Sequence, residues 1–314
     1  MTADHAELID GRALGRKIRE QVAAEVEALA GKIPPIKLVS VDVGENPASA
    51  LYIRNQKRSA ESVGITFQHV HLDAVTPEDE IADFLVGLSD DPTVTGVILQ
   101  RPLPEGVSVR RLQSKIHPDK DIEGLNPANM GYIVIGEPRL VPCTALASIR
   151  CLLSTGVVTH GQDVAVIGHS EIVGKPIAFL LLNLEATVTI CHVATQDLNE
   201  HTRKADVVFV AVGKPGLVTG DMLKPGAIVI DIGINQVPVV DEDGQPVHGD
   251  DGKPRQKVVG DVDLESVLPV ASHVTPVPGG VGPVTVATLL SNAVCAARLQ
   301  HKDVVGEPNW TDAI

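Results

Sequence analysis

Aromatic residues are scarce in this chain, only 2% of its 314 residues, with a single tryptophan. Valine, isoleucine, leucine and alanine fill most of the 44% hydrophobic content, which argues against an aromatic-rich β sandwich and for buried parallel strands covered by helices. Cysteine is thin as well: Cys143, Cys151, Cys191 and Cys295 lie far apart. Without a CxxC pair or a Cys/His metal spacing, neither a disulfide framework nor a metal site is expected, and the four read as reduced, mostly buried thiols. Positive charge is in deficit, with 26 Lys and Arg against 40 Asp and Glu and a formal net charge of −14. A duplex binder needs a basic footprint to displace counterions, so nucleic acid is not an expected partner, and an anionic ligand must find a local basic or backbone-amide site. The amino terminus, MTADHAELIDGRALGRKIRE, carries early acids and no apolar signal region, and no apolar run of ~18 residues is visible. A soluble, cytoplasmic protein with no membrane partner is the expectation.

The length suggests about two domains. Leu14, Ile18, Val22, Val26 and Leu29 recur at steps of three or four, a helical period over residues 11 to 31. Then IKLVSVDVG (36 to 44) reads as a buried strand, Pro47 to Val63 as a helix, TFQHVHL as a strand, Pro77 to Leu88 as a helix and GVILQ (96 to 100) as a strand. This βαβαβ rhythm predicts parallel strands with right-handed crossovers, with ligands at the loops beyond the strands. A second run follows the helical TALASIRCLLSTG: DVAVIG, ATVTICH, ADVVFVAVG and AIVIDIGIN are four apolar segments expected as buried strands of a covered parallel sheet. The segment over 236 to 262 is polar and glycine-rich, an exposed hairpin or loop. A last helix starts near Pro283 and returns toward the first domain, and the tail HKDVVGEPNWTDAI reads as loosely held. The expected fold is two-domain α/β: residues 1–147 plus 282–314 form a catalytic domain, and 148–281 a Rossmann-type parallel-sheet domain inserted within it.

Four stretches carry candidate chemistry. VIGHSEIVGKP (166 to 176) is a strand, a glycine turn and a helix start, in which Gly168 permits the turn, Ser170 can cap the helix and Gly174 lets helix and sheet approach. It is not GxGxxG, so by itself it fits either a nucleotide site or an ordinary strand-to-helix turn. The next strand ends in His192 and Val193 with no acid to repel a 2′-phosphate, which permits NADP, and His169 can approach that phosphate. TPVPGGVGPVT (275 to 285) holds too many prolines and glycines for a helix or central strand and predicts a rigid loop of closely approachable backbone. KDIEGLNPANMG (120 to 131) sets Asp121 and Glu123 before a glycine turn, beyond the strand that ends in Gln100. Finally, SALYIRNQKRSAESVGI (49 to 65) is a polar helix with Tyr52 and, one turn later, the neutral Gln56.

Together these pieces resemble the methylenetetrahydrofolate dehydrogenase/cyclohydrolase family. NPASALY, LQRPLP, HPDKDIEG, PCT, GHSEIVGKP, VAVGKPG, GAIVIDIGIN, GDV and TPVPGGVGPVT stand in the family's order, over roughly residues 7 to 300. The resemblance implies a catalytic domain completed by the last helix, with a Rossmann domain inserted. It implies oxidation of 5,10-methylenetetrahydrofolate with NADP, less often NAD, hydrolysis of the methenyl product to 10-formyltetrahydrofolate, and a homodimer. It places Tyr52, Gln56, Gln100 and Asp121 in the catalytic group, adds Glu123, Pro278, Gly279 and Gly280 to the tetrahydrofolate pocket, and gives Gly168, His169, Ser170, Val193, Gly213 and Ile234 to the cofactor.

The chain departs from the pattern at three positions. The family's tyrosine is followed four residues later by a catalytic lysine, here Gln56; the second acid of its DVDG is here Glu123; and a position that is often arginine is here His169. Lys57 points elsewhere unless the helix is locally deformed, because consecutive helical residues differ in direction by ~100°. Hydride transfer moves no proton to the protein, whereas hydrolysis of the methenyl cation needs a titratable group, which an amide is not. The expectation is a dehydrogenase with weak or lost cyclohydrolase activity, against the alternatives of compensation by Lys57 or Glu123, or of a catalytically silent folate- or nucleotide-binding paralogue.

Overall fold

The structure, a computed structural model, describes residues 5–45, 47–241, 245–249 and 252–308. Asn46 of NPASALY, parts of the 236 to 262 segment, the first four residues and the last six of the tail lie outside the described residues. In chain order the elements begin with β1 (Glu7–Leu8), α1 (Gly11–Leu29), β2 (Lys37–Val43), α2 (Pro47–Glu61), β3 (Thr66–Leu72), α3 (Glu78–Asp90) and β4 (Gly96–Leu99). Then come α4 (Val109–Gln113), α5 (Pro127–Val134), α6 (Cys143–Leu153), β5 (Asp163–Ile167), α7 (Gly174–Asn183), β6 (Thr187–Cys191), α8 (Leu198–Thr202) and β7 (Val207–Val210). The last are β8 (Ile228–Asp231), β9 (Asn235–Pro238), β10 (Gln256–Val259), α9 (Leu264–Val267), β11 (His273–Val274), α10 (Val281–Gln300) and α11 (Lys302–Val305).

The chain divides into two compact units, Gly15–Leu146 with Thr285–Ile314, and Met1–Leu14 with Ala147–Val284. In the first, β3, β2 and β4 form a parallel sheet in that order. Strict alternation along β2 sends Val39, Val41 and Val43 to one face, where they pack with Ile81, Ala82 and Leu85 of α3 and with Leu112 of α4. The opposite face of β2 carries Leu38, Ser40 and Asp42. The carboxyl-terminal part of α10 is bolted to this unit: Asn292 Nδ2 donates to the carbonyls of Ile122 and Val141, both at 2.8 Å, and Gln300 Nε2 to those of Thr95 and Asp119.

The second unit holds a six-stranded, all-parallel sheet in the order β1-β11-β8-β7-β5-β6. Strand order reverses at β5, with β6 on one side and β7 on the other, so the crevice beyond the carboxyl end of β5 is the switch point at which doubly wound sheets bind ligands. β5, β7 and β8 are buried over Val164–Ile167, Val207–Val210 and Ile228–Asp231. The segment 186 to 192, expected as a buried strand, is the sheet's edge instead: Thr187, Thr189 and Ile190 of β6 are exposed because β5 covers it from one side alone. The residues at 7 and 8, expected with the catalytic domain, pair as β1 with β11 in this sheet, a two-residue strand too short for a period to reveal.

β9 and β10 pair antiparallel, giving the described part of the 236 to 262 segment its hairpin. Among the described residues one helix, α10, is long and apolar enough by length and composition to cross a membrane; 61% of its apolar window is buried inside the protein, as befits a core helix.

Candidate active site

α2 lies along β3 and brings Tyr52 and Gln56, one turn apart, to the polar face of the three-stranded sheet. Gln56 is 3% exposed and Gln100, just past β4, 5% exposed. Gln100 Nε2 donates to Gln56 Oε1 at 2.7 Å and to Ser40 Oγ at 2.9 Å, which uses both of its N–H groups. Gln56 is in turn hydrogen-bonded to the Tyr52 hydroxyl. Burial of that hydroxyl, with the nearby Cys143 and Glu123, pushes the Tyr52 pKa up to about 12, although the rest of the residue is open to solvent. The result is a chain of neutral groups, Ser40–Gln100–Gln56–Tyr52, none of which changes charge near neutral pH. Lys57 points elsewhere: it is exposed, with Nζ 3.8 Å from Glu61 on the outer helix face.

The two acids of KDIEG differ in what they touch. Asp121 is wholly buried, and its carboxylate accepts from Gln113 Nε2 (2.8 Å), the Asn126 backbone N–H (2.6 Å) and Asn129 Nδ2 (3.1 Å). It closes its own loop, and burial outweighs these bonds to push its pKa up to about 6. Glu123 is the acid that belongs with Tyr52. Its carboxylate accepts from the Leu99 backbone N–H at 3.3 Å, and burial together with Asp121 raises its pKa to about 7, against the opposing pull of Arg101. Glu123 is thus the one candidate of this group that can exchange a proton at neutral pH.

In the other unit, Gly168 ends β5 with φ +112°, and a Cβ there would lie 2.2 Å from the Ala211 carbonyl oxygen. Gly174 opens α7, where a Cβ would meet the Gly168 oxygen at 1.9 Å. These contacts make the turn a cradle that only glycine leaves open. Ser170 Oγ accepts from the Val173 N–H at 3.2 Å, closing the turn ahead of the helix, and the α7 start has no side-chain cap of its own. His169 and His192 face each other across the ends of β5 and β6, ring centroids 4.9 Å apart. Val193 and Ile234 are exposed, and Gly213 turns with φ +68°. An open turn, a helix start without a side-chain cap and exposed apolar side chains fit a dinucleotide.

The loop of Pro278, Gly279 and Gly280 belongs to this same unit. Val277–Pro278 is a cis peptide, Gly279 has φ +116°, and the Gly280 N–H donates to the Pro276 carbonyl at 2.8 Å. Gly11 at the start of α1 presses against it so closely that a Cβ there would lie 1.7 Å from the Gly280 oxygen. The loop is therefore stiff, as its composition predicts.

Comparison with known proteins matches residues 9–123 to the catalytic domain, and residues 142–301 to the NAD(P)-binding domain, of tetrahydrofolate dehydrogenase/cyclohydrolase. The chain belongs to the tetrahydrofolate dehydrogenase/cyclohydrolase family. It is 48% identical over 297 residues to the "Bifunctional protein FolD" of Rhodobacter capsulatus, covering 95% of each chain. Among solved structures it is similar to the bifunctional FolD of Campylobacter jejuni, with TM-score 0.85 and 38% identity over 94% of this chain and 99% of that one. It is equally similar to the Trypanosoma brucei FolD complexed with NADP cofactor and inhibitor, with TM-score 0.85 and 35% identity over 96% and 100%.

Three residues of this family member escaped the sequence reading. Ser40 anchors the amide chain from inside β2, where a lone serine among valines was the only signal. Asp231 and Asp261 are buried carboxylates at the ends of β8 and in the GDV motif; their signal was an acid interrupting an apolar strand and a Gly–Asp pair after a hairpin.

Proposed function

We propose that this family member oxidises 5,10-methylenetetrahydrofolate to 5,10-methenyltetrahydrofolate with NADP, and that hydrolysis of the product to 10-formyltetrahydrofolate is weak or lost. The observation that carries the second half is the 2.7 Å bond from Gln100 Nε2 to Gln56 Oε1, which makes a neutral amide chain of the position where the resemblance places a catalytic lysine. NADP, when bound, supplies the hydride acceptor. The chain's own residues then need only hold the folate: Tyr52 offers an exposed ring edge and a hydroxyl that stays protonated, and Gln56 and Gln100 lock each other so that neither wanders. Developing positive charge on the methylene carbon is delocalised by the folate nitrogens and favoured by the Glu123 carboxylate in its ionised form. Hydrolysis is different, because water must lose a proton as it attacks and the ring nitrogen must gain one. No group of the amide chain exchanges protons at neutral pH.

His169 and His192 are proposed to receive the 2′-phosphate of NADP, with Gly168, Ser170, Val193, Gly213 and Ile234 lining the rest of the dinucleotide site. Pro278, Gly279 and Gly280 are proposed to contact folate, and Asp121 to serve it through the loop it closes. A cytoplasmic homodimer completes the proposal. Reduction of NADP by purified protein given methylenetetrahydrofolate tests the first half, and a silent paralogue fails it. Decay of methenyltetrahydrofolate absorbance tests the second, and hydrolysis at a rate comparable to the reduction sinks the claim of weakness. Glu123 favours the fully bifunctional reading by one observation, its pKa of about 7 beside Tyr52, whereas Lys57, turned outward to Glu61, gives that reading no support.

A further inference from the structure

The nucleotide-binding unit buries two carboxylates at the carboxyl ends of its central strands, and what holds them is N–H groups from the surrounding loops. Asp261 is wholly buried and Asp231 3% exposed. Asp261 Oδ2 accepts from the backbone N–H groups of Val212 (2.7 Å) and Gly213 (2.9 Å), while Oδ1 accepts from Asn235 Nδ2 (2.8 Å). Asp231 Oδ1 accepts from the N–H groups of Gly233 (2.9 Å) and of Asp261 itself (3.0 Å), and Oδ2 from Val262 (3.0 Å). Asp231 therefore fixes the backbone of Asp261, and the Asp261 side chain fixes the loops that follow β7 and β8. The fit leaves no slack: a Cβ on Gly233 would lie 2.2 Å from Asp261 Cγ, and one on Gly260 would lie 1.8 Å from Asp231 Oδ2.

Burying an ion is expensive unless its lone pairs are satisfied, and an apolar side chain would fill the space with less penalty. A carboxylate does what an apolar group cannot, gathering three donors from two separate loops at one point. The loops it gathers carry Gly213 and Ile234. We propose that Asp261 is a positioning residue for the dinucleotide, holding the loops after β7 and β8 in the single arrangement that receives it, with Asp231 holding Asp261. The proposal rests on the cofactor assignment made above.

Calorimetric binding of NADP to wild type, Asp261→Ala, Asp261→Asn and Asn235→Ala tests it, alongside steady-state kinetics. Asp261→Ala is expected to weaken NADP binding and raise the cofactor KM by about tenfold to a hundredfold, the size of a misplaced-loop effect, with the folate KM within about twofold of wild type. Asp261→Asn keeps an oxygen for the Val212 and Gly213 amides, and Asn235 can turn its own oxygen to the new NH2, so most of the affinity should return. Asn235→Ala removes one bond and should weaken binding several-fold; it carries the test if Asp261→Ala does not fold. Wild-type affinity for NADP in folded Asp261→Ala, or in Asn235→Ala where the former is unfolded, overturns the positioning role, as does equal loss of folate and cofactor affinity. Wild type that binds no dinucleotide at all overturns the cofactor assignment and this inference with it, an outcome distinct from variants that bind as well as wild type.

Discussion

Gln56→Lys puts an ammonium where an amide oxygen now accepts from Gln100 Nε2 at 2.7 Å. Gln100 must then turn its amide, offering its oxygen to the ammonium and withdrawing its donation to Ser40 Oγ. The Ser40 hydroxyl can rotate and donate to that oxygen in turn, and any polar group left short of a partner there costs about 1–3 kcal/mol of stability. A fold of this size can bear that loss. The new amine sits in a site 3% exposed, so burial lowers its pKa toward neutrality, while ionised Glu123 opposes the fall. General acid/base catalysis by such a group is worth about 10² to 10⁴ in rate. That corresponds to roughly 3–5 kcal/mol of barrier, against a modest structural penalty. Methenyltetrahydrofolate absorbance followed in wild type and Gln56→Lys should therefore decay at least about a hundredfold faster in the variant, with NADP reduction within about tenfold. Melting of both proteins checks that the variant is folded. If wild type clears the methenyl compound as fast as folded Gln56→Lys, the argument that position 56 controls proton traffic is wrong.

Any hydrolysis that wild type retains should rise with pH through about 7 as Glu123 ionises, and Glu123→Gln should flatten that rise; an unchanged profile takes Glu123 out of the proton path. Asp121, raised to about 6 from 3.8, prefers its protonated form in the fold, so its contribution to stability is full below about pH 4 and is lost as pH climbs through 6, by about 3 kcal/mol. Between pH 4.5 and 7.5 Asp121 should supply about 2 kcal/mol of the fall seen in denaturant unfolding, beside the falls from Glu123 and Asp231, raised to about 7 and about 6; Asp121→Asn, which cannot ionise, should shrink the total by that amount, and an equal fall in both proteins would remove Asp121 as a cause. His169→Ala with His192→Ala should reduce the preference for NADP over NAD by about tenfold, the loss of a charge-assisted contact to one phosphate, and dissociation constants for both dinucleotides measure it.

The parts of this molecule legible in sequence are those set by period and by backbone freedom. The apolar run over 36 to 44 predicted β2, and the glycines at 168, 174 and 280 announced close approaches that the structure makes against carbonyl oxygens, where a Cβ has no room. What escaped was set by neighbours remote in sequence. β6 has the apolar composition of a central strand and lies at the edge, because strand order is decided by crossovers rather than by the strand's own residues. Asp121 and Glu123 are two residues apart and were read together, yet one is consumed by Gln113, Asn126 and Asn129 while the other stands by Tyr52 with its proton near neutrality. No local rule separates them, since the difference lies in which donors the loop folds against each carboxylate. The same holds for Gln56. Its type said that the position does not titrate; only the structure shows that the amide is held by Gln100. On the proposed mechanism, the amide that Gln100 holds at 2.7 Å can neither take the proton of an attacking water nor return one at neutral pH, so the missing titratable group, and not the loss of a side chain able to hold substrate, is what separates the two reactions.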